Sequence, residues 1–191
     1  MKLLYFVRHA SPNIQPNVPS EQWTLSERGI EEARSLAKIA AGWGLEAVYS
    51  SVEPKTQATA LIIGDAVGHG VRVVDGLQEL RFDRWISNAD EFGEMIRDIL
   101  QQPAVSAHGA ERAIAAAARF AAAVEIVADG PFPAAIVSHG RVMTAYLTQL
   151  LKLEDPFATW RSIPMPGWAS VDLDSPAPKL ITPFEGLPSA G

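Results

Sequence analysis

The hydrophobic positions of this chain form short continuous runs that are separated by longer stretches with helical spacing. The first run, Leu3–Val7, has the length and composition of a strand covered on both faces of a sheet. Similar patterns predict further strands at 46–51, 71–74, 133–138, 168–173 and 179–181. Because strands alternate with helical stretches, the pattern indicates an α/β fold: a three-layer sandwich with a mostly parallel central sheet and helices on both faces.

The helical stretches carry boundary residues of their own. Thr24 and Glu27 have the spacing of a capping box before a helix that runs to Ala40. Pro54 suits the first turn of a helix that runs to about Ala66. Further helices are predicted at 89–101, 110–128 and 142–151, and prolines at 176 and 178 separate the last two strands.

The length of 191 residues predicts one domain, and no repeat or linker divides the chain. We assign residues 1–185 to this domain and expect residues 186–191 to form a flexible tail.

Composition and charge exclude several classes of function. The formal net charge of −6 argues against a nucleic-acid partner, but a small phosphorylated ligand responds to a local pocket. The chain has no cysteine, so disulfides, thiolate metal sites and cysteine nucleophiles are excluded. The apolar run before Arg8 is too short for a signal peptide, and no segment approaches the length of a membrane span. We therefore expect a cytoplasmic protein without a membrane partner.

Side chains that can carry chemistry stand at the ends of the predicted strands. Arg8 and His9 follow the first strand, and His139 follows the fourth. Because the carboxyl ends of parallel strands share one edge, both imidazoles are expected in one crevice. Lys55 begins the helix after the second strand, and Glu79 follows the third. Together these groups predict a pocket for a dianion, with one carboxylate to handle a proton.

Other candidates stand in the loops, and their roles are left open. Ser11 and Asn13 follow His9 and are candidate phosphate contacts. Arg81 faces either a second acidic group of a substrate or solvent. His108 is either a helix cap or a substrate contact, and Lys55 taken alone would be a solvated helix residue.

Five segments carry a resemblance to a known family. They are Arg8-His9-Ala10, SSVEPKTQATA from Ser50, LQELRFDRW from Leu77, Gly109-Ala110-Glu111 and Ser138-His139-Gly140. In this order they resemble the motifs of the histidine phosphatase superfamily, the phosphoglycerate mutase-like group, from Lys2 to about Leu150.

The resemblance implies a mechanism without a metal or another cofactor. His9 would be the nucleophile and form a phosphohistidine, since its neutral imidazole is available near an ordinary pKa of ~6.5. Arg8, Lys55 and His139 would hold the phosphoryl oxygens. Glu79 would protonate the leaving oxygen, and burial beside Trp85 or Phe82 is expected to raise its pKa.

Two departures from the family pattern leave the function open. Ala10 replaces a glycine beside the nucleophile, and Lys55 replaces an arginine, so charge is kept but the planar guanidinium is lost. We expect a phosphatase that acts on a phosphomonoester or phosphoamidate, whose partner is a small phosphorylated substrate or a phosphohistidine protein. The alternatives are a weakly active or non-catalytic phospholigand-binding module and a mutase. The short segment between Glu79 and Ser138 favours hydrolysis over mutase chemistry.

Overall fold

A computed structural model describes residues 1–82, 84–174 and 177–188 of the chain. The strands are β1 Leu3–Arg8, β2 Ala47–Ser50, β3 Val71–Val73, β4 Ala134–Ser138, β5 Gly167–Asp172 and β6 Lys179–Gly186. The helices are α1 Glu27–Ala40, α2 Pro54–Val67, α3 Ala89–Gln101, α4 Ala113–Ala128, α5 Gly140–Leu151 and α6 Pro156–Ser162. The hydrophobic pattern therefore located every strand, and every α-helix but α6, of the part that the structure describes; two short 3-10 helices, Ser20–Gln22 and Ala107–Gly109, were not predicted.

The strands form one mixed sheet in the order β3-β2-β4-β1-β5-β6. β1, β2, β3 and β4 pair in parallel, whereas β5 and β6 add to the sheet in antiparallel pairing. In the register of the sheet, Arg8 lies beside Ser138, and Ser50 lies beside Val137. The predicted mostly parallel sheet is confirmed, and the carboxyl ends of its parallel strands meet at one edge.

Alternate residues of the central strands point into two apolar layers. Phe6 and Ile136 belong to a core that includes residues of α3, α4 and α5. Val7 and Val137 belong to a second core, which α1 and α2 cover. Helices therefore bury both faces of the sheet, which explains why these strands are continuous apolar runs.

The start of α1 differs from the prediction. Ser26, not Thr24, is the cap, and its hydroxyl accepts a hydrogen bond from the amide of Gly29 at 3.0 Å. The carbonyl of Thr24 instead accepts from the amide of Asn13, and a bridge between Pro12 and Leu25 keeps this segment extended. Both Thr24 and Ser26 are residue types that cap helices. Thr24 is not the cap because its segment pairs with the loop after β1.

The carboxyl-terminal third also departs from the sequence pattern. The seven-residue α6 was not predicted because it is too short to show helical periodicity, although Asp155 caps it and Pro156 begins it. β6 extends to Gly186, the first residue of the predicted tail. Residues 189–191 of that tail and Pro176 lie outside the described residues.

Among the helices described, none is long and apolar enough to cross a membrane.

Candidate active site

One cavity of about 890 Å³ lies at the carboxyl edge of the parallel strands. Its lining includes a group of charged and histidine side chains that we call the charged wall: Arg8, His9, Lys55, Glu79, His139 and Arg141. The sheet topology brings these residues together, because each follows a strand or begins the next helix. The sequence predicted five of the six.

His9 is buried at the end of β1, with 6% of its surface exposed. Its Nδ1 lies 2.8 Å from the carbonyl oxygen of Ala10. A carbonyl only accepts, so the ring proton is on Nδ1 and Nε2 keeps a free lone pair. Burial, together with the charges of Lys55 and Arg8, lowers the pKa of His9 to about 3. His9 is therefore neutral around pH 7, as a nitrogen nucleophile must be.

Ala10, which stands where the sequence resemblance predicts a glycine, fits without crowding His9. Its methyl group is fully buried in a small apolar cluster with Leu25 and Ala33. Its amide donates to the Thr59 hydroxyl at 3.2 Å. The extra methyl therefore packs beneath α1.

His139 faces His9 edge-on, with ring centroids 5.1 Å apart. Its Nε2 lies 3.2 Å from the Ser51 hydroxyl and 3.2 Å from Oε1 of Glu53. Burial and the charges of the surrounding cations lower the pKa of His139 well below its usual value, so the ring is neutral. The nearby carboxylate favours the tautomer with the proton on Nε2.

Glu79 is held by a ring of donors. Its carboxylate accepts from the amides of Leu80 and Val142, both at 2.9 Å, and pairs with Nε of Arg141 at 3.0 Å. Burial acts to raise the pKa of Glu79, but the Arg141 charge and these amides outweigh it, and the pKa is lowered.

The expected rise in the Glu79 pKa is therefore wrong for the unliganded protein. Phe82 packs on the guanidinium of Arg141 at 4.4 Å from ring centroid to Cζ, and Trp85 is 47% exposed. Phe82 and Trp85 thus do not place the Glu79 carboxylate in an apolar environment, and the positive charge of Arg141 stabilises its ionised form.

Lys55 is buried, with 4% of its surface exposed, and is not a solvated helix residue. Its ammonium donates to the Ser20 carbonyl at 2.7 Å and to Oε2 of the buried Glu53. Because an ammonium has three protons, one donor remains for a ligand. Glu53 also accepts from the Glu79 amide at 2.9 Å, so one carboxylate links Lys55, Glu79 and His139.

Three buried nitrogen atoms of the charged wall have no hydrogen-bond partner in the part of the chain that the structure describes. They are Nε of Arg8, Nδ1 of His139 and Nη1 of Arg141. A buried polar group without a partner costs about 1–3 kcal/mol. The oxygens of an anion in the cavity would satisfy the two arginine donors, and His139 would join them once protonated.

The glycine after His139 has a steric role at this wall. A Cβ at Gly140 would lie 3.2 Å from Nε of Arg8. Glycine therefore leaves room for the guanidinium beside the start of α5.

The loop candidates separate into two groups. Ser11 lines the cavity, and its amide donates to Glu32 at 3.0 Å. Asn13, Arg81 and His108 are exposed and are not among the lining residues. The ring of His108 instead lies 2.8 Å from Oδ2 of Asp98.

These three residues were predicted on sequence proximity to the motifs, and the fold does not bring them to the cavity. The backbone amide of Asn13 donates to the carbonyl of Thr24 at 2.8 Å, which holds this loop against the segment before α1. The amide of Arg81 pairs with Glu111, which holds that segment along the start of α4.

Sequence reasoning missed Arg141 and Glu53. Arg141 directly follows Ser138-His139-Gly140, so its position at a helix start beside the motif was an available signal. Glu53 lies two residues before Lys55, but neither charge pattern nor periodicity indicates that it is buried.

The rest of the cavity is lined mainly by apolar side chains. Its aromatic members, which we call the aromatic wall, are Trp23, Phe82, Trp85, Phe92 and Trp160. They come from the loop before α1, the loop before α3, α3 itself and α6. Because these residues come from separate segments with no regular spacing, the sequence pattern did not predict that they would line one cavity.

The sequence profile of the histidine phosphatase superfamily (branch 1) matches residues 4–182. No curated protein sequence matches the chain.

Several solved structures share the fold. A mycobacterial glucosyl-3-phosphoglycerate phosphatase superposes with a TM-score of 0.77 at 22% identity, covering 95% of this chain and 98% of that one. The YhfR protein of Bacillus stearothermophilus gives 0.76 at 21% identity, with 95% and 96% covered. A phosphoserine phosphatase of Entamoeba histolytica, in complex with 3-phosphoglyceric acid, gives 0.73 at 19% identity, with 97% and 98% covered.

Proposed function

The chain belongs to the histidine phosphatase superfamily (branch 1), and we propose that it is a phosphatase that hydrolyses a phosphomonoester or phosphoamidate through a phosphohistidine on His9. The observation that carries the proposal is the neutral His9 ring, whose Nε2 has a free lone pair, in a cavity with unpartnered arginine nitrogens. The fold neighbours support it, since the mycobacterial phosphatase has been solved with vanadate and with inorganic phosphate.

In the first step, Nε2 of His9 attacks phosphorus, and the bond from phosphorus to the leaving oxygen breaks. Arg8, Arg141 and the remaining donor of Lys55 hold the phosphoryl oxygens. Each such charge-assisted hydrogen bond contributes about 1.5–3 kcal/mol. Catalysis of phosphoryl transfer rests mainly on this positioning and charge stabilisation.

Glu79 supplies the proton that the leaving oxygen takes. Its carboxylate is ionised in the unliganded protein, so the proton arrives with the substrate as the phosphate monoanion. The phosphoryl charge beside Glu79 raises its pKa, and the proton moves to its carboxylate and then to the leaving oxygen.

In the second step, water attacks the phosphohistidine. The Glu79 carboxylate now accepts a proton from that water, the bond between phosphorus and nitrogen breaks, and phosphate leaves. His9 returns to its neutral form. Among the described residues, no group of three or more histidine, cysteine, aspartate or glutamate side chains is placed to hold a metal ion. We expect undiminished activity in EDTA, and loss of activity restored by a divalent cation would contradict the mechanism.

A phospholigand-binding module is the second candidate, and the Glu53–Lys55 pair favours it. This pair offsets the charge of Lys55 in the position where the family has an arginine, so the grip on a phosphoryl group is weakened. In that case the protein would bind a phosphorylated ligand and hydrolyse it slowly or not at all.

The test is to trap the intermediate by acid-free denaturation after mixing with a phosphate-labelled aryl substrate. We expect label on His9, its absence in His9→Ala, and its persistence in the matched control His69→Ala, since His69 lies in the turn after α2 and does not line the cavity. Binding without label or turnover would favour the binding module. Activity that depends on a bisphosphate primer would favour a mutase.

A further inference from the structure

The aromatic wall consists of two groups of contacting rings rather than isolated side chains. Trp23 and Trp85 meet edge to face with ring centroids 5.8 Å apart. Phe92 contacts both Phe82 and Trp160 at 6.0 Å between centroids. Phe82 also packs on Arg141, so the aromatic wall continues directly into the charged wall.

This surface is much larger than a phosphoryl group requires. The cavity of about 890 Å³ is of the size that accommodates a drug-sized ligand. The charged wall accounts for the phosphoryl group, so the remaining volume is available to the alcohol of the substrate.

The charges outside the charged wall do not suit a second anionic group. Among the described lining residues, Glu21 and Arg84 are the charged ones in this part of the cavity. Nη2 of Arg84 is engaged by Glu91 at 2.7 Å. Glu91 offsets the charge of Arg84 and Glu21 adds a negative charge, so a substrate carboxylate would meet aromatic carbon and no net positive charge in this part of the cavity.

The indole nitrogen of Trp23 is likewise committed. It donates to the carbonyls of Gln15 and Val18 at 3.1 and 2.9 Å. The ring of Trp23 is thus fixed by its own loop and presents carbon to the cavity. Such a surface favours stacking and apolar contact over hydrogen bonding.

Building on the function proposed above, we propose that the substrate is a phosphomonoester whose alcohol carries a large aromatic or apolar group and no second anionic group. The aromatic wall binds that group while the charged wall holds the phosphoryl group. This class differs from the substrates in the names of the fold neighbours, which carry a carboxylate.

A binding experiment that needs no turnover tests the substrate class separately from the reaction. Phosphonates keep the phosphoryl oxygens but have no bond that the proposed reaction breaks, so their dissociation constants can be measured by calorimetry on the full chain. We expect 1-naphthylmethylphosphonate to bind at least about tenfold more tightly than methylphosphonate, because the ring system buries apolar surface. Equal or weaker binding would overturn the proposed class.

Phosphonoacetate adds a carboxylate to the smaller probe. We expect it to bind no more tightly than methylphosphonate. Tighter binding would overturn the exclusion of a second anionic group.

Substitution of Trp85 locates the effect. Trp85 is 47% exposed, so truncation does not open the core. We expect Trp85→Ala to weaken the binding of 1-naphthylmethylphosphonate about fivefold or more and to leave the dissociation constant of methylphosphonate unchanged. Ile126→Ala, a 61% exposed position on α4 outside the cavity lining, is the matched control and should change neither. If Trp85→Ala weakened the binding of both phosphonates by the same factor, the role of the aromatic wall would be contradicted.

Steady-state kinetics on two phosphomonoesters then tests the proposed hydrolysis and the substrate class together. Benzyl phosphate and 2-hydroxyethyl phosphate have leaving alcohols of similar acidity but different polarity, and we expect kcat/KM to favour benzyl phosphate by at least about tenfold. If neither is hydrolysed and no phosphohistidine forms, the proposed function fails while the phosphonate results still decide the ligand class. If both are hydrolysed equally, the function stands and the substrate class is wrong.

Discussion

The charged wall and the aromatic wall of the cavity differ in how the chain builds them. Most of the charged wall stands on strand ends and helix starts at the edge of the sheet, where β1, β2 and β4 each pair with a strand on either side; Glu79 lies in the segment between β3 and α3. The aromatic wall comes mostly from loops and from α3 and α6, with Trp85 half exposed. Strand ends and helix starts therefore carry the proposed nucleophile and the proposed phosphate-binding cations, while loops and the surfaces of two helices carry the proposed substrate-selecting rings.

The two walls also differ in what holds their side chains in place. In the charged wall, the Glu79 carboxylate has cationic and amide partners, and the buried Glu53 behind the wall contacts Lys55, the Glu79 amide and His139. In the aromatic wall, ring-to-ring contacts take this role. A change in the charged wall should consequently affect every substrate, whereas a change in the aromatic wall should affect only those with an apolar group.

The largest expected effect is that of His9→Ala. Removing the nucleophile should lower kcat/KM by about 10⁴-fold or more on every phosphoester, because His139, the other imidazole of the charged wall, is fully buried and its Nε2 lies against Ser51 and Glu53. The check is kinetics on an aryl and an alkyl substrate, with the fold verified by circular dichroism. Turnover near that of the native protein on either one would show that His9 is not the nucleophile.

Glu79→Gln separates protonation from positioning. The amide keeps the shape but carries no transferable proton, so alkyl phosphates should lose about 10²–10⁴-fold in kcat. Aryl phosphates should lose less, since their leaving oxygens need little protonation. Comparing benzyl with 4-nitrophenyl phosphate, both of which fit the aromatic wall, is the measurement. Equal losses would mean that Glu79 only positions other groups.

The pH profile follows from the two shifted groups. His9 has a pKa of about 3 and is neutral above that value, so kcat/KM should show no loss between about pH 4 and 6. Because the pKa of Glu79 is lowered, its carboxylate is ionised around pH 6 in the unliganded protein, so the proton comes from the substrate monoanion, and kcat/KM should fall about tenfold per pH unit above the second phosphate pKa of about 6. An acid limb near the ordinary histidine pKa would contradict the buried, neutral His9.

Lys55→Arg should strengthen the charged wall. The guanidinium can keep the contacts to Ser20 and Glu53 and still offer two donors to one oxyanion, so vanadate should bind about tenfold more tightly, equivalent to ~1–2 kcal/mol. Lys55→Ala should weaken vanadate binding more than tenfold, because it removes a cation from the cavity and leaves the buried Glu53 carboxylate without its cationic partner. Unchanged vanadate affinity and turnover in Lys55→Ala would mean that Arg8 and Arg141 hold the anion alone. The naphthyl-to-methyl ratio of phosphonate affinities should stay the same in both variants.

Glu53→Gln should have the smallest effect on binding. Loss of the carboxylate leaves the buried Lys55 without its counter-charge, so the unliganded protein should lose about 3 kcal/mol in free energy of unfolding. The freed ammonium should bind vanadate several-fold more tightly, and vanadate should raise the melting temperature more than it does in the native protein. A variant with lower stability and weaker vanadate binding would instead show that Glu53 acts by positioning Lys55 and His139.

The sequence alone determined the strands and the reacting groups at their ends. Buried parallel strands must be continuous apolar runs, so the polar residues that stop them are easily seen, as at Arg8-His9 and Ser138-His139. Once the strands are parallel, their carboxyl ends share one edge, and the meeting of His9 with His139 follows from topology. The same local logic placed Lys55 and Glu79.

Only the tertiary structure decided the partners of these groups and the surface beside them. The contact of His139 with Ser51 joins residues 88 positions apart, and the Arg141 amide reaches Glu79 across 62 positions. Such contacts depend on helix packing and loop paths, which leave no periodic trace in the sequence. The lowered pKa of Glu79, the burial of Glu53 and the aromatic wall all arise in this way, because a side chain's electrostatic and apolar surroundings come from whatever the fold places next to it.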